Sequence, residues 1–269
     1  PKLLRAIRPN QITKIAIGST STGILTAIGQ AAEVGKLKGL EQIDFYKNFD
    51  TSSSDDDDDE LDSGNLGTLS SFGPGFHTLI LHESQIVDIS GLETCKSLRT
   101  LYLGSTQVTD VSVLASCSSL HTLFLFNTQV ADVSALGSCN SLHTLDLCNT
   151  QVVDVSALRS CSSLHTLNLG GTQVADVSAL GSCGSLHSLN LSGTQVADVA
   201  TLGSCSSLHT LNLNNTQVTD VSPLGLCRSL HTIYLYKTQV VDVSALSCLS
   251  IRYRLTEFQR WEIRNSNSN

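Results

Sequence analysis

The 269-residue chain has no methionine, one tryptophan and only four prolines. It therefore lacks a start residue and is expected to be a fragment or a processed product, with no signal peptide legible from Pro1 onward. Aromatic residues are 5% and charged residues 15% of the chain. No stretch approaches the ~20 consecutive apolar residues that a membrane helix needs, so no membrane partner is expected. Basic residues are outnumbered, 16 Lys and Arg against 24 Asp and Glu, for a net charge of −8. A nucleic-acid binder wants a basic footprint, and this balance argues against one. There is no CxxC pair, phosphate loop, HExxH or GxSxG. Zinc knuckles and the common hydrolytic and nucleotide-binding sites are thus unsupported. What the chain does have is 41% hydrophobic residues, ample for a core.

Charge is unevenly distributed. Residues 1–49 carry a balance of +4, 50–75 of −8, 76–250 of −6 and 251–269 of +2. The acid run Asp55 to Glu60 lies among Ser and Gly and reads as a self-repelling, solvated loop at about 50–65. Its carboxylates are contiguous, without the turn glycine that an EF-hand uses, so calcium is not expected there.

The dominant feature is internal repetition. Phe76, Leu98, Leu120, Leu142, Leu164, Leu186, Leu208 and Leu230 open eight units at a spacing of 22 residues. In the unit 120–141 the apolar skeleton is Leu120, Leu123, Leu125, Val130, Val133, Leu136 and Cys139. Leu123 and Leu125 are two apart, the period of a strand. Val130, Val133 and Leu136 are three apart, the period of a 3₁₀-like turn. Two looser copies precede these: Ile12, Ile15 and Ile17, then Leu40, Ile43 and Phe45, which makes ten strands in all. Between them, Ile24, Leu25, Ile28, Ala31 and Ala32 fall on one helical face, predicting a helix over 22–37. Ile251, Leu255 and Phe258, with Trp261 nearby, have helical spacing and predict a capping helix over 251–262.

The pattern LxxLxLxxNxL is that of leucine-rich repeats. The 22-residue length and the Asp-Val-Ser-x-Leu return resemble bacterial internalins, and the phrase TQVxDVSxLxxCxSL resembles leucine-rich-repeat proteins of trypanosomatid parasites. The resemblance spans 76–250 and implies an α/β, right-handed leucine-rich-repeat solenoid. One parallel sheet would line its concave face, with mostly 3₁₀ or irregular returns. Residues 1–75 would be degenerate repeats holding the acidic insertion, and 251–269 a cap or tail. One departure stands out. The family's Asn after the strand is Thr in seven units, Thr106 to Thr238, and Ser84 in the first. Thr brings a single hydroxyl, so a thinner ladder between coils is expected.

Columns of identical residues carry structural and functional readings side by side. The Asp column, Asp88 to Asp242, precedes each return and suits capping of backbone N–H groups. The Cys column, Cys95, Cys117, Cys139, Cys161, Cys183, Cys205 and Cys227, lies three past an inward Leu and should be buried. Nine cysteines without a disulfide framework point to a reducing, intracellular compartment. Cys148 stands apart and is expected to be exposed. The His column, His77, His121, His143, His165, His187, His209 and His231, could place imidazoles ~4.8 Å apart and invite a metal. A residue copied into nearly every unit marks duplication instead, so no metal and no cofactor is expected. A Cys148–His143 pair would be ~16 Å apart in an extended strand, too far for nucleophilic catalysis, and the chain is read as a non-enzyme.

Differences among the units concentrate at the fifth, seventh and eighth places. With the fourth and sixth places inward, the fifth and seventh must face out. The candidate binding residues on the concave face are Tyr102, Phe124, Phe126, Asp146, Asn168, Asn190, Asn212, Tyr234, Tyr236 and Lys237. Five of these are outward aromatics, in two groups separated by a polar stretch able to bond peptide groups. Exposed aromatics in a patch usually mean contact. The function expected is a protein- or peptide-binding scaffold; the alternative is a structural spacer with no ligand on that face. Two sequons, Asn190-Leu-Ser and Asn214-Asn-Thr, fall on the same face, where glycans would obstruct binding.

Overall fold

The computed structural model describes residues 14–17, 40–45, 75–84, 86–247 and 252–254. The chain divides into two compact units, Pro1–Val130 and Ala131–Asn269. In the N-terminal unit five strands follow in chain order: β1 Lys14–Ile17, β2 Gln42–Phe45, β3 Thr78–Ile80, β4 Thr100–Tyr102 and β5 Thr122–Phe124. Each pairs parallel with the next, so Ile15 faces Ile43, Ile43 faces Leu79, and Leu101 lies between Leu79 and Leu123. The two looser copies therefore do supply strands. Steps of 28 and 36 residues close in the same register as steps of 22, because pairing depends on the strand and not on the return.

The C-terminal unit repeats the arrangement with β6 Thr144–Asp146, β7 Thr166–Asn168, β8 Ser188–Asn190, β9 Thr210–Asn212, β10 Thr232–Tyr234 and β11 Arg252–Arg254. All pair parallel in chain order. Strand β11 corrects the sequence reading: eleven strands occur among the described residues, not ten. Arg252–Arg254 are extended where a capping helix was expected. Hydrogen bonding to the open edge of β10 outweighs the helical spacing of Ile251, Leu255 and Phe258 there. The remainder of that predicted helix, and the one predicted over 22–37, lie outside the described residues, as does the acidic run.

Between strands the chain returns through 3₁₀ turns, such as Ser90–Thr94 and Ser112–Ser116 in the first unit and Ser156–Ser160 and Ser178–Ser182 in the second. The seven repeats opened by Phe76 to Leu208 bury the same seven places, while in the last Val243 is half-buried. In the unit opened by Leu164 these are Leu164, Leu167, Leu169, Val174, Val177, Leu180 and Cys183, none more than 1% exposed. A single repeat cannot bury this set alone; stacked coils do it for one another.

The polar columns close the coil. Each Asp accepts from the backbone N–H two residues on, at 2.7–2.8 Å, from Asp88 with Ser90 to Asp242 with Ser244. The capping role read from the sequence is thus what the structure shows. The Thr column behaves differently from the Asn ladder of the family pattern. Thr106, Thr128, Thr150, Thr172, Thr194 and Thr216 donate to the carbonyl three residues back in their own repeat, at 2.7 Å. These bonds satisfy a buried hydroxyl locally. Coils are tied instead by backbone bonds, such as Gln107 N–H to Ile86 O and Gln195 N–H to Val174 O. The column thiols tie them as well: Cys161, Cys183, Cys205 and Cys227 each donate from Sγ to a Leu carbonyl 25 residues earlier, at 3.0–3.4 Å.

Candidate functional site

The fifth place of every repeat ends its strand and points away from the core, as strand alternation requires. In the N-terminal unit this outer face carries Ile80, Tyr102 and Phe124 in register on β3, β4 and β5. The Tyr102 and Phe124 rings stack at 4.6 Å with 14° between their planes. Phe126, at the seventh place, lies across Gly104 of the preceding repeat; a methyl group on Gly104 would overlap its ring. The three rings were expected to be exposed. They are half-buried, because they pack on one another and on that glycine. Gly104 is a functional position that sequence reasoning missed. Its signal was the smallest residue standing one repeat before a bulky ring in the same column.

The C-terminal unit fills the same places with Asp146, Asn168, Asn190 and Asn212. Their Oδ1 atoms accept from the backbone N–H groups of Cys148, Gly170, Ser192 and Asn214, at 2.9–3.1 Å. Asn190 also donates from Nδ2 to Asn168 Oδ1 at 2.8 Å, and Asn214 Oδ1 accepts from Tyr236 N–H at 2.7 Å. The polar stretch is therefore largely engaged with its own backbone. The same contact engages the amide nitrogen a glycan would need at Asn190. At the far end of this unit Tyr234 is half-buried, Tyr236 is 46% exposed, and Lys237 Nζ lies 5.4 Å from the Tyr236 ring centroid.

In the N-terminal unit the fifth-place side chains make no such bond. Ile80, Tyr102 and Phe124 have no side-chain acceptor to turn back. Among the described residues, no group accepts from the backbone N–H of His82, Gly104 or Phe126. The eighth place has a different explanation. Every residue there has positive φ: Glu83, Ser105, Asn127, Asn149, Asn215 and Lys237 at 55–60°, and Gly171 and Gly193 at 70°. Variation at the eighth place, Lys237 included, follows a left-handed turn that Asn and Gly tolerate best.

The family model for leucine-rich repeats (two copies) matches residues 118–160 and 206–248. The same architecture recurs in an internalin, InlF from Listeria monocytogenes, with a TM-score of 0.75 and 26% identity over 92% of this chain and 67% of that one. The two matched segments are leucine-rich repeats. Internalin C2 from the same bacterium is similar at a TM-score of 0.67 and 27% identity, over 86% of this chain and 92% of that one. More distant in sequence is TLR13, solved as a complex with ssRNA13, at a TM-score of 0.68 and 17% identity, covering 91% of this chain and 36% of that one. No curated protein matches the chain.

The thiols of the repeats are quiet. The seven column cysteines are free and at most 4% exposed. Burial pushes Cys95, Cys117, Cys161, Cys205 and Cys227 up to about 11. Cys148 is half-buried rather than exposed. Its thiol is raised by that burial and by the Asp146 carboxylate, the reverse of what an activated nucleophile needs. Leucine-rich-repeat proteins are typically non-enzymatic binding scaffolds.

The histidines of the C-terminal unit form a continuous stack. Successive rings from His143 to His231 lie 4.7–5.1 Å apart with 3–15° between planes. Parallel rings point their nitrogen lone pairs side by side, not at one centre, which is poor geometry for a tetrahedral zinc site. The rings bond locally: His165 Nδ1 lies 3.4 Å from Thr166 Oγ1, and His209 Nδ1 lies 3.1 Å from Ser229 O. His165 is held below the ordinary imidazole range by burial and by its neighbours His143 and His187.

Proposed function

We propose that this chain is a non-enzymatic scaffold that captures a polypeptide on the outer face of its sheet. The observation that supports this best is the aromatic cluster Tyr102, Phe124 and Phe126, placed outward on a frame whose core columns barely vary. Leucine-rich-repeat solenoids commonly serve as protein-binding scaffolds, and aromatic anchors dominate such interfaces. RNA, the partner in the TLR13 complex, suits this face less well. Among the candidate residues the face offers aromatics, neutral amides and Asp146, with Lys237 the single basic side chain, on a chain of net charge −8, whereas phosphate recognition draws on several Lys and Arg. The acidic run Asp55 to Glu60 would add salt-dependent attraction for a basic partner.

The self-bonded Asn stretch from Asn168 to Asn212 favours a second role for those strands alone, as a spacer with little affinity of its own. The eight described cysteines are all free, and the proposed compartment is a reducing, intracellular one.

The test is partner capture by the intact chain, compared with Phe124→Ala and Tyr234→Ala. Loss of an anchor ring should cost roughly thirtyfold in affinity. The Phe124 change should lower stability by only about 1 kcal/mol, since the ring is half-buried and stacked. Undiminished capture by both variants, with the fold retained, would refute the reading.

A further inference from the structure

The stacked histidines of the C-terminal unit lie in a strip without acids. Across residues 76–250, the last two places of one repeat and the first three of the next carry Lys96, Arg99 and Arg228, and no Asp or Glu. Strand β11 adds Arg252 in register with Thr232. Around the rings, His121 precedes the stack, and Asp146 and Tyr234 stand three residues further along β6 and β10. The column thiols, four residues before each ring, are buried. One edge of the stack is unengaged: among the described residues, Nε2 of His165, His187, His209 and His231 takes no hydrogen bond. His209 Nδ1 donates to Ser229 O at 3.1 Å, so a proton gained on acidification goes to Nε2 and makes it a donor. The rings repeat every 4.7–5.1 Å, and imidazoles charged at that pitch call for counter-charges at the same pitch.

Anionic occupants differ in their spacing. An extended acidic peptide brings carboxylates to one side every two residues, about 6.7 Å. One strand of a nucleic-acid duplex carries a phosphate every ~3.4 Å. The Asp column of this chain places one carboxylate per coil, as the histidines place one ring, so the two columns of neighbouring copies stay in step. From Asp132 to Asp242 every member is exposed. Each spends Oδ1 on its cap, and a carboxylate has about four acceptor sites, so Oδ2 still accepts. Backbone N–H groups hold Asp132, Asp176, Asp220 and Asp242 below the usual carboxylate range, so these stay charged where the imidazoles gain charge. Charging all eight histidines would also bring the net charge from −8 to zero and remove the repulsion between copies.

We propose that on acidification the histidine stack of one copy docks side by side on the Asp column of a second copy, in a contact that repeats coil by coil. The contact is heterologous, His column to Asp column, and so propagates into an open array. Single exposed ion pairs contribute little, so the association depends on several in step, and salt weakens it.

The test is sedimentation of the full chain in about 20 mM salt at pH 7.5 and pH 5.5, on either side of the imidazole range. The mass at pH 5.5 should be at least about twice that at pH 7.5. Raising the salt to about 0.5 M should reverse this, and the column then titrates as in a single chain. Asp176→Asn with Asp198→Asn keeps both caps, since Asn accepts there as Asp does, and should weaken association about tenfold. His165→Ala with His187→Ala should do the same. His77→Ala with His82→Ala removes as many imidazoles outside the stack and should leave association unchanged, which separates docking from a mere change of net charge. An unchanged mass between the two pH values, association that survives the high salt, or undiminished association of either folded pair of variants would each overturn the inference. So would an equal loss in the His77 and His82 control. If the His165 and His187 variant does not fold, the Asp176 and Asp198 variant decides.

Discussion

The two units have the same frame and opposite faces. In the N-terminal unit the fifth places are Ile80, Tyr102 and Phe124, and among the described residues no group accepts from the N–H groups behind them. In the C-terminal unit they are Asp146, Asn168, Asn190 and Asn212, and each closes the N–H two residues on. One position per repeat thus decides whether the strand end is self-satisfied or available. A short polar side chain at that place bonds its own backbone more readily than a ligand, because the partner is two residues away. Polarity on a repeat surface is therefore a weak sign of binding, and an apolar residue where neighbours have Asn is a stronger one.

The sharpest contrast is between frame and face. Leu167 and Asn168 are adjacent, one buried and one outward. Leu167→Ala should cost about 2–5 kcal/mol in denaturant unfolding. Asn168→Ala should cost about 1 kcal/mol, through the freed Gly170 N–H and the lost Asn190 contact. Equal costs would contradict the division into core and surface columns.

The two seventh-place glycines separate the units next. An added methyl at Gly104 meets the Phe126 ring, whereas at Gly170 the nearest atoms are Asn190 Nδ2 at 2.9 Å and Asn168 Oδ1 and Ser192 Oγ at 3.2 Å, a milder overlap with polar side-chain ends. Gly104→Ala should cost about 1–3 kcal/mol and shift the Phe126 ring resonances; Gly170→Ala should cost less. The reverse order would show that Phe126 does not rest on Gly104.

A smaller effect distinguishes the thiols. In the native state Cys148 should react with a thiol reagent before any column cysteine, since those are at most 4% exposed. Rapid native labelling of Cys161 or Cys183 would refute their burial.

The smallest expected effect is on pH. His165 has a folded-state value below its unfolded one, so below about 6.5 the unfolded chain binds the extra proton. Stability should be unaffected above that pH and should decline as pH falls from there toward the depressed folded value. His165→Asn should flatten the dependence of the melting temperature across that window. A melting temperature that rises on acidification from 7 to 5.5 would contradict the stack. The Asp column acts lower still: backbone N–H groups hold Asp132, Asp176, Asp220 and Asp242 below the usual carboxylate range, so their contribution fades only under strong acid.

Much of this was legible before any coordinates. The Leu, Val and Cys columns announced their burial by period, and Asp before Val-Ser announced the cap, because both depend on contacts within or between identical repeats. The loose copies at Ile15 and Ile43 were legible as strands for the same reason. The tail was not: the spacing of Ile251, Leu255 and Phe258 is helical, and only the free edge of β10 makes Arg252–Arg254 extended. Nor was the state of the candidate site. Phe126 looks exposed until the glycine one repeat earlier is seen beneath it, and Asn168 looks available until its Oδ1 is seen engaged.

The sequence by itself determined the repeat, the inward columns, the strand and turn assigned to each stretch of 22 residues, and which places face outward. These follow from side-chain period and volume, which are local properties copied eight times. Only the tertiary structure decided which outward groups are already spent. A hydrogen bond or a ring contact on this surface depends on distances between residues two, three, 22 or 25 apart in the chain, set by how one coil lies on the next. That stacking closes the donors behind Asp146, Asn168, Asn190 and Asn212, lays the Phe126 ring over Gly104, and turns the column cysteines into ties between coils.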